Sequence, residues 1–309
     1  SKTYPLSLSR VQDFFQTILE EWGIDRQTVH CMVRDRGSNV VRAVQLSGFE
    51  DVNCAIHQIQ LCIRDGAESQ DWLRQLIAKL KKVATHFSHS LVAQAELTKI
   101  QKERLNQSPL SVIQDCPTRW NSMFYMMERF SKLKDSLVLS YSLVPKHWIN
   151  IKKLMQLMQP FEEITRNLSS SQVSISSVIP LIQFLMASLQ QETKPDTFEQ
   201  FKNFTTKLRD ELKASARFGN LVEDDKYTIA TYLDPRYKSH FYTSIITESK
   251  LLNATIKTII RTRQSNSIQD DDCVPSPKRS QTQFAIEDNQ GLLLQNHHHH
   301  YKYWNRLNM

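Results

Sequence analysis

The sequence predicts an α+β protein that is mostly α, with a short α/β layer followed by a longer all-helical part. Three observations carry that prediction. Apolar residues recur at helical spacing through most of the 309 residues, and only the first segment places short β-branched runs between helices. The chain also holds just 6 glycines and 10 prolines, too few for the turn density of an all-β sandwich or for a glycine-rich phosphate cradle.

In the first part, residues 1–69, Val11, Phe14, Phe15, Ile18, Leu19 and Trp22 share one helical face, and Gly23 stops the helix. Thr28 to Val33 is a β-branched, apolar run that ends in the polar loop Arg34-Asp35-Arg36-Gly37-Ser38-Asn39, so a buried strand is expected there. Ser38 or Asn39 is placed to cap a following helix with Val40, Val41, Ala43 and Val44 on its apolar side. A second strand is expected near Asp51 to Ala55 and a helix from about His57. The succession α-β-α-β-α implies a sheet layer rather than a bundle.

From 70 to 260 the period is helical throughout. Trp72, Leu76, Leu80, Val83 and Phe87 trace one stripe, and Met123, Met126, Met127, Phe130, Leu133 and Leu137 another. Further stripes run through Trp148, Ile151, Met155 and Met158, through Ile182, Leu185, Met186 and Leu189, and through Phe198, Phe201, Leu208 and Leu212. Pro109, Pro117, Pro145 and Pro195 fall between stripes, Pro180 suits a first helical turn, and Pro160 is expected to kink or end its helix. Residues 261–309 are polar and aperiodic, apart from the run His297–His300 and the aromatic Tyr301-Lys302-Tyr303-Trp304, and read as irregular or disordered.

Charge and cysteines bound the function. Lys and Arg total 39 against 32 Asp and Glu, a net charge of +7, which fits a nucleic-acid or acidic partner without requiring one. The five cysteines, Cys31, Cys54, Cys62, Cys116 and Cys273, contain no C-x-x-C pair and no disulfide framework, which suits a reducing compartment. No apolar run approaches the ~18 residues of a membrane span. The N-terminus has neither an initiating Met nor a signal-peptide core, and the chain is expected to be a piece of a longer protein or an incomplete gene product.

Four groups of residues carry chemical interest. Asp35, at the end of a strand, stands where α/β sheets place metal-binding or catalytic carboxylates, or where a carboxylate caps a helix; Arg34 and Arg36 flank it. Cys54 and His57 make a C-x-x-H step with zinc-ligand chemistry, but without the second pair a structural zinc site needs. Arg119 beside Trp120 can offer a phosphate-seeking cation next to a stacking face, or else Trp120 anchors the core and Arg119 pairs with Asp115. Tyr232 to Tyr237 reads as a turn. No Ser-His-acid triad and no Gly-x-Ser-x-Gly elbow occurs, so carboxylate–metal chemistry is the only enzymatic reading with a motif behind it.

In order along the chain stand VRDRGSNVVRA (33–43), NCAIHQIQL (53–61), CPTRWNS (116–122), QPFEEIT (159–165) and YLDPRYK (232–238). This series, spanning about Arg10 to Phe241, resembles the hAT-type transposase domain, above all its domesticated form in zinc finger BED domain-containing proteins. The resemblance implies a ribonuclease H-like core, truncated here, interrupted by an all-helical insertion domain. In such transposases two aspartates and a glutamate hold two metal ions for strand transfer. Asp35 falls on the second of these acids. Cys54 and His57 match the family's C-x-x-H element near the active site, and Arg119 and Trp120 match an insertion-domain motif of DNA handling. No match to the first aspartate or to the Ser-Glu-Arg motif of the final glutamate occurs, and Arg36 stands where the family commonly has Asn. A lone carboxylate does not position two Mg²⁺ ions. The resemblance therefore implies a non-catalytic, nuclear protein binding DNA or protein partners, with no cofactor of its own. Mg²⁺ and catalysis enter only under the alternative, a fragment of an active transposase. The family's dimerisation segment has no match, so dimerisation is left open.

Overall fold

A computed structural model describes residues 8–29, 31–116, 119–140, 143–170, 173–191, 198–238, 240–241 and 255–257, with side chains from residue 15 onward. The expectations for residues 261–309, including Cys273 and His297–His300, and for Pro117 and Pro195 lie outside the described residues. Among those described the chain is mostly helical, with one small sheet.

The α/β segment runs α1 (Leu8–Glu21), β1 (Met32–Arg34), α2 (Ser38–Ser47), β2 (Asp51–Asn53) and α3 (Ala55–Glu68). The strands are parallel, paired Met32 with Asp51, Val33 with Val52 and Arg34 with Asn53. A parallel pair needs a crossover, and α2 supplies it, lying against α1. Gly23 (φ +61) turns the chain after α1, and Gly48 (φ +69) closes α2 with its N–H on the Gln45 carbonyl. Both sit in the left-handed region, where a Cβ is penalised.

Two expectations need correction here. Thr28 belongs to the single turn Arg26–Thr28, so β1 starts only at Met32. It is also not a buried strand: Val52 joins the core, whereas its register partner Val33 is 64% exposed. Ser38 and Asn39 do not cap α2 either; Gly37 holds the cap position and makes no side-chain bond.

The helical part comprises α4 (Asp71–His89), α5 (Leu91–Lys99), α6 (Trp120–Lys132), α7 (Lys134–Ser140), α8 (Pro145–Leu168), α9 (Val178–Gln191), α10 (Glu199–Lys213) and α11 (Asp225–Leu233). The stripes supply much of its core, with Leu80, Met126, Met127, Phe130, Leu185 and Leu208 fully buried, joined there by Leu73, Phe161 and Phe204, which no stripe included. One continuous cluster joins Val52 in β2 and Ile59 in α3 to Tyr227 in α11. The Met123–Leu137 stripe is shared by two helices that meet at Leu133, whose N–H still bonds the Arg129 carbonyl at 3.0 Å. Pro160 does not end α8, which continues to Leu168. Burial of Leu157, Met158, Phe161 and Ile164 on both sides of it offsets the roughly 3 kcal/mol an interior proline costs. Phe198 leaves its stripe: it precedes α10, is exposed, and carries the Lys153 ammonium 3.9 Å from its ring centre.

Gly66 explains how closely α3 meets α10. A Cβ there would stand 2.9 Å from Leu208 Cδ2 and 3.4 Å from Phe204 Cε2. Glycine in a helix interior costs about 1 kcal/mol relative to alanine. Close packing of the two helices is what that cost secures.

Candidate functional site

The carboxyl ends of β1 and β2 bring the first two motifs together. Because Arg34 pairs with Asn53, the next residues, Asp35 and Cys54, leave the ladder as neighbours, and the Cys54 N–H donates to the Arg34 carbonyl at 2.6 Å. Helices α2 and α3 begin just beyond, so this edge has the position at which open α/β sheets hold ligands. Asp35 is exposed, and its Oδ1 accepts the Gly37 N–H at 2.9 Å, an Asx turn rather than a helix cap. A Cβ on Gly37 would lie 3.0 Å from that oxygen, so the glycine makes room for the turn.

Arg34 does not serve the Asp35 carboxylate. Its guanidinium pairs with Asp51 and donates to Asn53 Oδ1 at 3.1 Å, and it meets only the backbone carbonyl of Asp35. Arg36 is exposed. Cys54 precedes α3 and His57 lies half-buried in its first turn. Among the described residues, no three His, Cys, Asp or Glu side chains come together as a metal-holding group.

The environments of Cys31 and Cys62 do not favour thiolates. Burial pushes the Cys62 thiol up to about 12 and raises that of Cys31 as well. Such thiols stay protonated near neutral pH and are poor nucleophiles.

The third motif splits. Arg119 precedes α6 and is exposed, whereas Trp120 is 7% exposed and packs edge-on to Phe124, the ring centres 6.5 Å apart. The indole is therefore a core anchor and not an open stacking face. Nor does Asp115 pair with Arg119: it binds Lys81 of α4 at 2.7 Å, and Ser122 Oγ lies 2.5 Å from its Oδ1. Ser122 also accepts the Cys116 N–H at 2.8 Å, tying the segment before α6 to the helix itself. Its signal was its place two residues after Trp120, in the first turn of a helix, where a hydroxyl can reach back to the preceding loop.

The last two motifs are also structural. In the fourth, Glu162 is buried in α8 and accepts the Tyr125 hydroxyl of α6 at 2.7 Å, a bond that raises the Tyr125 pKa. In the fifth, Asp234 accepts from the Arg236 guanidinium at 2.7 and 2.9 Å, from the Arg236 backbone N–H at 3.0 Å and from Ser176 Oγ at 2.6 Å. Arg236, then Ser176, holds the Asp234 carboxyl well below the usual carboxylate range, against the pull of burial. Thr231 Oγ1 donates to the Ser176 carbonyl at 3.0 Å, and Tyr237 donates to Ser177 Oγ at 3.2 Å. The turn expected at Tyr232–Tyr237 is thus a clamp between α11 and the single turn Ile175–Ser177 that leads into α9.

Parts of the chain are similar to known proteins. Residues 52–147 match the ZBED1 RNase-like helical domain. The human zinc finger BED domain-containing protein 4 is 28% identical over a 222-residue alignment covering 66% of this chain and 18% of that protein. The mouse zinc finger BED domain-containing protein 6 is 28% identical over 218 residues, 67% of this chain and 22% of the relative. A Zea mays protein named for the AC transposase is 22% identical over 255 residues, 74% of this chain and 30% of its own length. The chain spans about a fifth of the length of the BED proteins it matches. With the ZBED1 RNase-like helical domain matched over residues 52–147 and about two thirds of the chain aligned with the two BED proteins, the chain is similar to the hAT transposase-like zinc finger BED domain-containing proteins.

Proposed function

We propose that this chain is a non-catalytic, transposase-derived binding protein of nuclear type, whose ligand is DNA. In this reading α1 to α3 represent part of a ribonuclease H-like layer, and the helices from about residue 70 are its inserted domain. The observation that carries the proposal is how the family's motif residues are employed. Trp120 is core, Glu162 and Asp234 hold helices together, and Asp35 spends an oxygen on its own turn. What the surface offers instead is cationic charge: Arg119 is exposed, and the chain carries a net +7. Relatives named as BED zinc finger proteins support the nuclear, DNA-associated setting.

Fluorescence anisotropy with a duplex oligonucleotide tests this. If four or five phosphates are neutralised, log affinity falls against log salt with a slope of about −4, or roughly 250-fold between about 50 and 200 mM salt. Binding that ignores salt, or no binding at low salt, sinks the proposal. In the same assay Asp35→Asn is expected to hold the affinity within about twofold, with or without Mg²⁺. A large, Mg²⁺-dependent loss would favour the active-transposase reading, since it would show Asp35 organising metal at the DNA.

A further inference from the structure

Helix α8 buries one side through Trp148, Ile151, Leu154, Leu157 and Met158, while Pro145, Lys146, Ile149, Lys152 and Gln156 are exposed. Positions 145, 149, 152 and 156 follow the four- and three-residue steps that line up side chains along one face of a helix. Lys146 flanks this strip at its start, and the half-buried Lys153 flanks it further on. Ile149, at its middle, keeps 50% of its surface exposed.

Measured contacts extend the strip onto the start of α10. Phe198, immediately before that helix, is 54% exposed, and Lys153 Nζ stands 3.9 Å from its ring centre and 5.9 Å from that of the buried Phe201. Gln200 Nε2 donates to Asn150 Oδ1 of α8 at 3.1 Å. Phe198 is thereby held beside the exposed face of α8.

The charge on this surface is one-sided. Helix α8 has no Asp or Glu before Glu162, which is buried and bonded to Tyr125. Lys146, Lys152 and Lys153 share its first turns with no carboxylate, and the helix dipole adds positive potential at Lys146. On α10 the first turn holds one acid, Glu199, and Lys202 follows it three residues on.

We infer that Pro145, Ile149 and Phe198, flanked by Lys146, Lys152 and Lys153, form a docking surface for an acidic amphipathic segment of a partner protein. Charge complementarity selects the occupant. Apolar side chains stand among cations here, so the complement carries aliphatic or aromatic residues on one face with Asp or Glu beside them. Amphipathic segments present such anchors at three- and four-residue steps. A phosphate backbone would engage the lysines alone and leave Ile149 and Phe198 without a partner. A protein interface puts apolar anchors at its centre and charge at its rim. This surface is separate from Arg119, and the inference stands whether or not the chain binds DNA.

Fluorescence anisotropy of the full chain tests it, with a labelled synthetic peptide of about 18 residues carrying Leu at helical three- and four-residue steps and Glu between them. The parent is expected to bind this peptide at least about tenfold more tightly than a scrambled peptide of the same composition or one with Lys for Glu. Ile149→Ser/Phe198→Ser is expected to lose about tenfold or more, as loss of the anchors requires. Lys146→Gln/Lys152→Gln/Lys153→Gln is expected to lose about as much at low salt and to respond less to added salt. An unchanged urea midpoint in each variant separates lost contacts from lost folding. Parent binding no tighter than to the scrambled peptide, or unchanged binding by both variants, overturns the proposal. If the Gln variant loses affinity for duplex DNA but not for the peptide, the surface belongs to nucleic acid and the proposal falls. A parent that self-associates, and becomes monomeric on Ile149→Ser/Phe198→Ser, would make a second copy the occupant and overturn it as well.

Discussion

Phe204→Ala is expected to lower the unfolding free energy by about 3–5 kcal/mol, the range for deleting a buried aromatic ring. Phe204 is fully buried on α10, its ring edge-on to Trp72 with centres 6.5 Å apart and its Cε2 close to Gly66. The cavity would open between α3, α4 and α10, and the neighbours have little freedom to collapse into it. Gly66 has no side chain to extend, and α3 already lies against α10 at close range. Natural stabilities are commonly about 5–15 kcal/mol, so a loss of this size is a large part of the total. A urea titration reads it as a shift of the midpoint at unchanged slope. A loss under about 1 kcal/mol would mean that the α3–α10 contact is looser than its geometry implies.

Asp234→Asn is expected to cost about 2–3 kcal/mol at neutral pH. One carboxylate there serves Arg236 and Ser176 together, and charge-assisted hydrogen bonds contribute about 1.5–3 kcal/mol each. The sum is discounted because Arg236 is half exposed and its share is screened by water. The pH dependence has a definite sign. With the folded-state pKa depressed, the contribution is complete above the unfolded aspartate value of about 3.9 and is lost as pH falls below it. The stability gap between the parent and Asp234→Asn should therefore be constant from pH 7 to about 5 and narrow below about 4. A gap that widens on acidification would contradict the clamp.

The asparagine substitution also separates two readings of the Tyr232–Tyr237 segment. A simple turn tolerates Asn as well as Asp, since both bond their own backbone two residues on. A clamp does not, because Ser176 and Arg236 both need the second, ionised oxygen. Ser176 is 58 residues upstream. Turn chemistry is local and was legible in the residues Leu233-Asp234-Pro235-Arg236; the partner across the fold was not.

The same division holds at the other motifs. Asp35 could be assigned to the loop after its strand, since a β-branched run ending in polar residues marks a strand end, whereas Cys54 was expected inside a second strand that in fact ends at Asn53. Their adjacency depends on the parallel register of Arg34 with Asn53, a pairing between segments 19 residues apart. Trp120 was open to two readings because an indole beside an arginine suits both a core and a binding face. Only its packing onto Phe124 within the helical core decides for burial. Asp115 had Arg119 near it in sequence, yet its partner is Lys81 on a helix that runs alongside.

By itself, the sequence determined the predominance of helix, the faces those helices bury and the order of the motifs. Helical period, proline position and side-chain chemistry are recorded in consecutive residues, and the hydrophobic effect acts on that record directly. The tertiary structure alone decided that Val33 of β1 is exposed, that α8 runs through Pro160, that Phe198 leaves the core, and that Asp115 pairs with Lys81. Each of these depends on what a distant segment places beside the residue. Burial, electrostatic potential and hydrogen-bond partners are properties of neighbours in space, and a chain's sequence names neighbours only along its own length.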